Sequence, residues 1–347
     1  KLKTDLYIPD GVTLIDAFVF QDCYNIRSVR FGPNVTEIKD SAFRGCVGIK
    51  GKIDIPDTVQ EIGPLAFVNC SSFSTLDMGS GVVTIQNQAF SGCTSLAGKV
   101  TFGNSLDTLV SRVFENCSNL DYVDFGNSIT SIGAYCFTDC IRLKGSYVGT
   151  LVIPDSVTFI SNGAFQRTGI NYVQMSSNVT SLANYTFKGC VNLLSMWDLT
   201  GVTNFGFGVI DGCTRLSGEL YLPDTVTTFG GGNLRGNNIT SVRFSPNITV
   251  IPIFAFAYFG ISNVEFIRDI GTNITSVGSW AFSCPKVADV YFPVTANPSI
   301  PFNACTNLGI DLPPDGSGYR ARFHVPVGAT GYGSLILPSY VELRYDL

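Results

Sequence analysis

Cysteine recurs at positions 23, 46, 70, 93, 117 and 140, at spacings of 23 or 24 residues, and phenylalanine stands three residues before each, from Phe20 to Phe137. The series continues as Phe187/Cys190, Ile210/Cys213 and Phe302/Cys305. Phe165/Thr168, Leu234/Asn237 and Phe256/Phe259 fill the same slots with substitutes, and Phe282/Cys284 is one residue short. A fixed period of this length is the signature of a solenoid, propeller or array. One unit of that size cannot bury its own apolar face, so neighbouring units must stack on a shared core.

Within the unit Leu120 to Cys140 the apolar positions alternate, jump across a Gly/Asn/Ser turn at Gly126 to Ser128, and alternate again. The pattern predicts two short strands and a turn or 3₁₀ segment per coil. About fourteen such coils fit the chain as a curved, mainly β rod. We read it as a single solenoid domain over 1–347, with repeats over 1–310 and a loop and capping unit over 311–347. A pair structure overlies the period, because Gly51, Gly98 and Gly145, and later Gly218, each stand two residues after an apolar core position. The extra glycine is expected to bulge its strand or to admit a close backbone approach. Two places break the rhythm: an insertion around Ser146 to Thr150, and the loop Pro313 to Tyr319 before the terminal unit Arg320 to Leu347.

Composition removes several function classes. With 22 Lys+Arg against 27 Asp+Glu the net charge is −5, which lacks the basic footprint that nucleic-acid binding needs. The longest apolar stretch, Ile251 to Ile261, is broken by Pro252 and falls short of the roughly 18 residues of a spanning helix, so no membrane insertion is expected. His324 is the single histidine, which removes most catalytic triads and histidine metal sites. The chain begins at Lys1 inside repeat-like sequence without a signal peptide, and is expected to be a mature or trimmed form.

The unit running from Ile49 through Ile53, Ile55-Pro56, Val59, Ile62 and Ala66-Phe67 to Cys70 resembles the BspA-like class of leucine-rich repeats. The segment Phe323 to Tyr332 is similar to the terminal unit of that family. The resemblance covers the chain essentially end to end. It implies a leucine-rich-repeat solenoid with a parallel sheet on its concave side, displayed on a bacterial or protist surface, in a family mostly of binding proteins and adhesins. Thr168, Asn237 and Phe259 in the cysteine slot, and Met196-Trp197-Asp198-Leu199 in a strand, depart from the pattern.

The cysteine slot reads as a small core position whose thiol bonds the neighbouring coil; disulfides between adjacent coils are the competing reading, since stacked Cα atoms come within bridging range. Zinc is disfavoured by the absence of any Cys-x-x-Cys pair, and a cysteine nucleophile by the absence of a base. Asn34, Asn69, Asn116, Asn178, Asn184, Asn238, Asn247 and Asn273 stand in Asn-x-Ser/Thr sequons. Most belong to the repeat's own turn, with glycosylation as the second reading.

If Val29 and Phe31 point inward, Arg30 between them points outward. The same phase gives an outward row containing Tyr7, Arg30, Asp54, Asp77, Asp124, Val152, Trp197, Tyr221, Arg243, Glu265 and Tyr291. A second row two residues upstream contains Lys52, Lys99, Tyr122, Thr150 and Tyr172. We take Asp54, Asp77, Tyr122, Asp124, Tyr172, Trp197, Tyr221, Arg243, Glu265 and Tyr291 as candidate ligand contacts, because aromatics give large contact area at low entropy cost and stack on sugars. Trp197 carries two readings, an exposed contact or, given its irregular strand, a core residue. The acidic part could instead hold calcium or a basic peptide, or simply be a solvated face. The expected function is a non-enzymatic, extracellular, cell-surface binding or adhesion protein that recognises a host or neighbouring-cell protein or glycan without metal or cofactor. A glycan-active enzyme using the acidic face, or a spacer in a larger surface or viral fibre, is the alternative.

Overall fold

The structure is a computed structural model that describes residues 4–145, 149–255, 266–267, 275–281, 289–291, 321–325 and 341–345. The chain packs as two compact units, Lys1–Val179 and Thr180–Leu347. Each is a parallel β-solenoid, one of the architectures that the period predicts. A regular coil carries a longer strand, a turn, a two-residue strand and a second turn bearing the Phe-x-x-Cys segment, as in Ile26–Arg30 followed by Glu37–Ile38, whereas the coil holding Met196 to Leu199 has no longer strand.

The longer strands pair two by two. In the first unit Thr4–Tyr7 pairs with Ile26–Arg30, Gly51–Asp54 with Phe73–Asp77, Gly98–Thr101 with Leu120–Asp124, and Thr150–Val152 with Tyr172–Gln174. In the second, Ser217–Tyr221 pairs with Asn238–Arg243, and Asp289–Tyr291, Ala321–Val325 and Val341–Tyr345 pair in succession. The glycine-bearing coil is the first of its pair. Gly51, Gly98 and Gly218 adopt left-handed φ of 74°, 72° and 90°, a region closed to most side chains. The bulge, however, falls on the following strand, not on the glycine's own. Gly51 faces Phe73 and Lys52 faces Thr75, so Ser74 is the residue left over. Its carbonyl turns to the next coil and accepts from Ala97 N at 2.8 Å, as Arg27 O accepts from Lys50 N and Asp121 O from Lys144 N. The displaced residue thus stitches one pair to the next.

Two left-handed residues flank each phenylalanine. The position two before it is held by Phe18, Ser41, Leu65, Gln88, Arg112 and Tyr135, and the position two after it by Asp22, Gly45, Asn69, Gly92, Asn116 and Asp139. The later position uses the types that tolerate this backbone. These interruptions limit the segment to single turns, such as Cys23 N to Phe20 O, so of the expected turn or 3₁₀ piece the described residues carry the turn.

Burial follows the repeat. The phenylalanines stack nearly parallel through the core, Phe43 on Phe67 at 5.2 Å, Phe67 on Phe90 at 5.2 Å, Phe90 on Phe114 at 5.4 Å and Phe114 on Phe137 at 5.7 Å. Each cysteine thiol donates to the phenylalanine carbonyl of the coil before it: Cys46 to Phe20, Cys70 to Phe43, Cys93 to Phe67, Cys117 to Phe90, Cys140 to Phe114 and Cys213 to Phe187, at 3.0 to 3.2 Å. All nine described cysteines are free. Cys136 lies off this ladder, in the slot that Ala42, Ala66 and Ala89 occupy in other coils. Cys284 and Cys305 lie outside the described residues, as does the loop 313–319.

Burial also pushes the thiols of Cys46, Cys70, Cys93, Cys136, Cys140 and Cys213 up, Cys46 to about 12. The folded state therefore holds protons that the unfolded chain releases above about pH 8.5. This contribution is fully present below that pH and is lost as pH rises through the folded value. Denaturant midpoints measured across the alkaline range should fall from about pH 8.5 upward. The native ladder thiols should resist a thiol reagent and titrate in denaturant without reductant; finding them protected as disulfides would show the ladder to be cross-linked.

Candidate functional site

The long strands expose two rows of side chains, two residues apart, since successive residues alternate across the sheet. Tyr7 is 52% exposed, Tyr172 41% and Tyr221 49%, while the flanking Leu6/Ile8, Val173 and Leu220/Leu222 turn toward the core. Asp54, Asp77 and Arg243 are likewise exposed, whereas Tyr122 and Asp124 are half-buried. Glu265 lies outside the described residues. Tyr291 is placed by backbone register opposite His324, and the side chains of both lie outside the described residues.

The candidate residues meet partners across each strand pair. Lys52 Nζ lies 2.8 Å from Asp77 and 3.3 Å from Asp54, so one ammonium serves two carboxylates. Its hydrogen bond to Asp77 is the leading reason its pKa is raised. Lys99 Nζ lies 2.7 Å from Asp124, and that bond holds the Asp124 carboxyl below the usual range. The face expected to be acidic is therefore largely neutralised by the row beside it. Elsewhere the cross-strand pair is aromatic and cationic. The Arg30 guanidinium sits 5.8 Å from the Tyr7 ring centre, and that of Arg243 sits 5.3 Å from Tyr221, at equivalent register positions of the two units.

Trp197 is not in this row. It is 8% exposed, its ring lies 4.7 Å from that of Phe187, and the exposed residue of its coil is Asp198. The cause is one missing residue in the turn. Phe31 to Val35 and Ile55 to Val59 span four positions, whereas Leu199 to Val202 spans three. Counting at the usual interval shifts the strand by one and reverses its faces. Trp197 occupies the slot of Ile53, and Asp198 that of Asp54.

Within the first unit, beside the place in the sequence where the insertion follows Gly145, lies a cleft of about 520 Å³, bordered by Lys99, Tyr122, Asp124 and Asn127 on one side and Thr150 and Val152 on the other. The sequence marked the insertion but gave no sign of a cleft, because the lining combines two coils and neither is polar enough to stand out. Among the described residues no three His, Cys, Asp or Glu side chains converge as a metal site. No helix among them is long and apolar enough to cross a membrane.

Four of the sequon asparagines donate into the coil stack, and Asn273 lies outside the described residues. Asn34 Nδ2 donates to Asp10 O at 2.8 Å, Asn178 to Asp155 O at 2.7 Å, Asn238 to Thr214 O at 2.8 Å and Asn247 to Asp224 O at 2.7 Å. Asn69 and Asn116 hold left-handed turn positions, which accounts for the motif without a modification.

A BspA type leucine rich repeat region matches residues 3–118, 65–194, 142–261 and 209–312. The chain belongs to the BspA-type leucine-rich repeat family. Its fold is similar to that of a leucine-rich repeat protein from Bacteroides ovatus, with a TM-score of 0.73 at 20% identity over 99% of this chain and 84% of the other. It is also similar to a leucine rich cell surface protein from Faecalibacterium prausnitzii, with a TM-score of 0.53 at 24% identity over 89% and 86%. The pneumococcal vaccine antigen PcpA gives 0.58 at 16% identity over 99% and 79%. No curated protein matches this BspA-type chain by sequence.

Proposed function

We propose that this BspA-type chain is a surface-displayed binding protein, without catalytic activity, whose long-strand face engages a host or neighbouring-cell protein or glycan. The exposed Tyr–Arg pairs carry the reading. Tyrosine and arginine are the residue types that dominate interface energetics, and each cation–π contact holds its ring in place before a partner arrives. The neutralised carboxylates weigh against an enzyme on the same face, because Asp54 and Asp77 share Lys52 rather than standing as an acid and a base. The description of the Faecalibacterium relative as a cell surface protein supports the location.

The test is an array of host proteins and glycans probed with the chain. Tyr221→Ala and Tyr172→Ala are expected to leave the unfolding midpoint nearly unmoved and to weaken the partner found by more than about 1 kcal/mol each. Binding unaffected by these two and by Arg243→Ala would remove the strand face as the site.

A further inference from the structure

In the cleft beside the insertion an inward strand position opens to solvent while the same position in the coils before and after it stays closed. In the slot of Val29, Ile53, Leu76 and Val100, which are all buried, Val123 is half-buried. The geometry of the insertion explains this. Gly51 precedes Ile53, and Gly98 precedes Val100, by two residues, whereas Gly145 precedes Leu151 by six. Leu120–Asp124 pairs back to Gly98–Thr101, and Thr150–Val152 pairs forward to Tyr172–Gln174, so the four extra residues fall at a break in the sheet. The bond from Lys144 N to Asp121 O joins the two coils at the base of the gap. Gly145 is required there, since its φ is 89° and a Cβ would come 2.2 Å from Thr150 O.

The lining has a definite chemistry. Val123, Val152 and Pro154 give an apolar wall, and the Tyr122 ring stands beside it. The rim is polar, with Asn127 offering an amide and Thr150 a hydroxyl. Its two charges, Lys99 and Asp124, are paired at 2.7 Å and cancel, so the cleft has no net attraction for an anion or a cation. A donor and an acceptor held side by side match neighbouring hydroxyl groups, and the apolar wall matches the C–H face of a sugar ring. The volume lies in the range of small-molecule sites.

We propose that this cleft binds an uncharged carbohydrate, a short stretch of neutral pyranose rings, with Asp124 and Lys99 on the hydroxyl edge and Val123, Val152 and Tyr122 against the ring. The inference deepens the reading of the chain as a binding protein, and it assigns the sugar to residues of the first unit alone.

Titration calorimetry of the whole chain against neutral oligosaccharides, with sialylated and sulfated oligosaccharides and extended peptides as parallel probes, tests it. The expected result is saturable binding of at least one neutral oligosaccharide, weakened about tenfold or more by Asp124→Asn and by Asn127→Ala. Both variants should keep the wild-type unfolding midpoint, and Asp198→Asn, at an exposed position outside the cleft, should leave the sugar affinity unchanged. Asn127 is exposed, so its variant remains informative if Asp124→Asn disturbs the strand. Binding of only the charged or peptide probes, or neutral-sugar binding that survives both cleft variants, overturns the proposal. Sugar binding lost in Tyr221→Ala but kept in Asp124→Asn overturns the cleft while leaving the strand-face reading intact. Binding to none of the probes overturns the cleft, and the protein array then decides the broader reading alone.

Discussion

Phe114→Ala should lower unfolding stability by about 3 to 5 kcal/mol, the range for truncating a fully buried aromatic. The ring has no solvent exposure and lies between Phe90 at 5.4 Å and Phe137 at 5.7 Å, with Phe102 at 5.9 Å on a third side. Removing it empties a volume that the neighbouring coils cannot fill, because each is held by its own backbone bonds, Phe114 N to Cys136 O and Phe90 N to Val113 O. Solenoid stability is a sum of unit and nearest-neighbour terms, so the loss acts on two interfaces at once. Phe20 stacks on Phe43 at 5.2 Å with its other side half open, so Phe20→Ala should cost distinctly less. Asp77→Ala, on the exposed strand face, should leave the midpoint nearly unmoved. Chemical denaturation of the three variants checks the order, and equal effects for Phe114 and Asp77 would mean that the inward and outward faces are reversed.

The period made the fold legible because the core repeats. Phenylalanine, alanine and cysteine each face the same neighbours in successive coils, so one unit read correctly gives most of the others. The strand pairing was legible in Gly51, Gly98 and Gly218, though the consequence of the glycine appears on the partner strand at Ser74, Asp121 and Thr240, where no residue type announces it. Side-chain neutralisation was harder to foresee. Lys52 and Lys99 lie in the second outward row, and only the three-dimensional register shows each reaching an aspartate of its own or the following coil. The cleft escaped notice for a related reason. Its apolar wall is made of Val123 and Val152, which by strand phase are one inward and one outward residue, and only the three-dimensional arrangement shows them lining the same opening.

Trp197 is where counting failed, and it yields the second large effect. Trp197→Ala should cost about 3 to 5 kcal/mol, because it removes a buried ring packed on Phe187 at 4.7 Å. Trp197→Phe separates packing from polarity. The indole Nε1 is buried without a hydrogen-bond partner among the described residues. An unsatisfied buried donor carries a penalty of about 1 to 3 kcal/mol. Phenylalanine deletes that donor and leaves a smaller gap than alanine, so the relief and the cavity oppose each other, and Trp197→Phe should lie within about 1 kcal/mol of wild type. Its neighbour supplies the control: Asp198 is exposed and accepts from Thr200 N at 2.8 Å, so Asp198→Asn keeps an acceptor and should leave stability nearly unchanged. If Trp197→Ala were as mild as Asp198→Asn, the shortened turn between Leu199 and Val202 would not have shifted the strand, and the tryptophan would belong on the outward face after all.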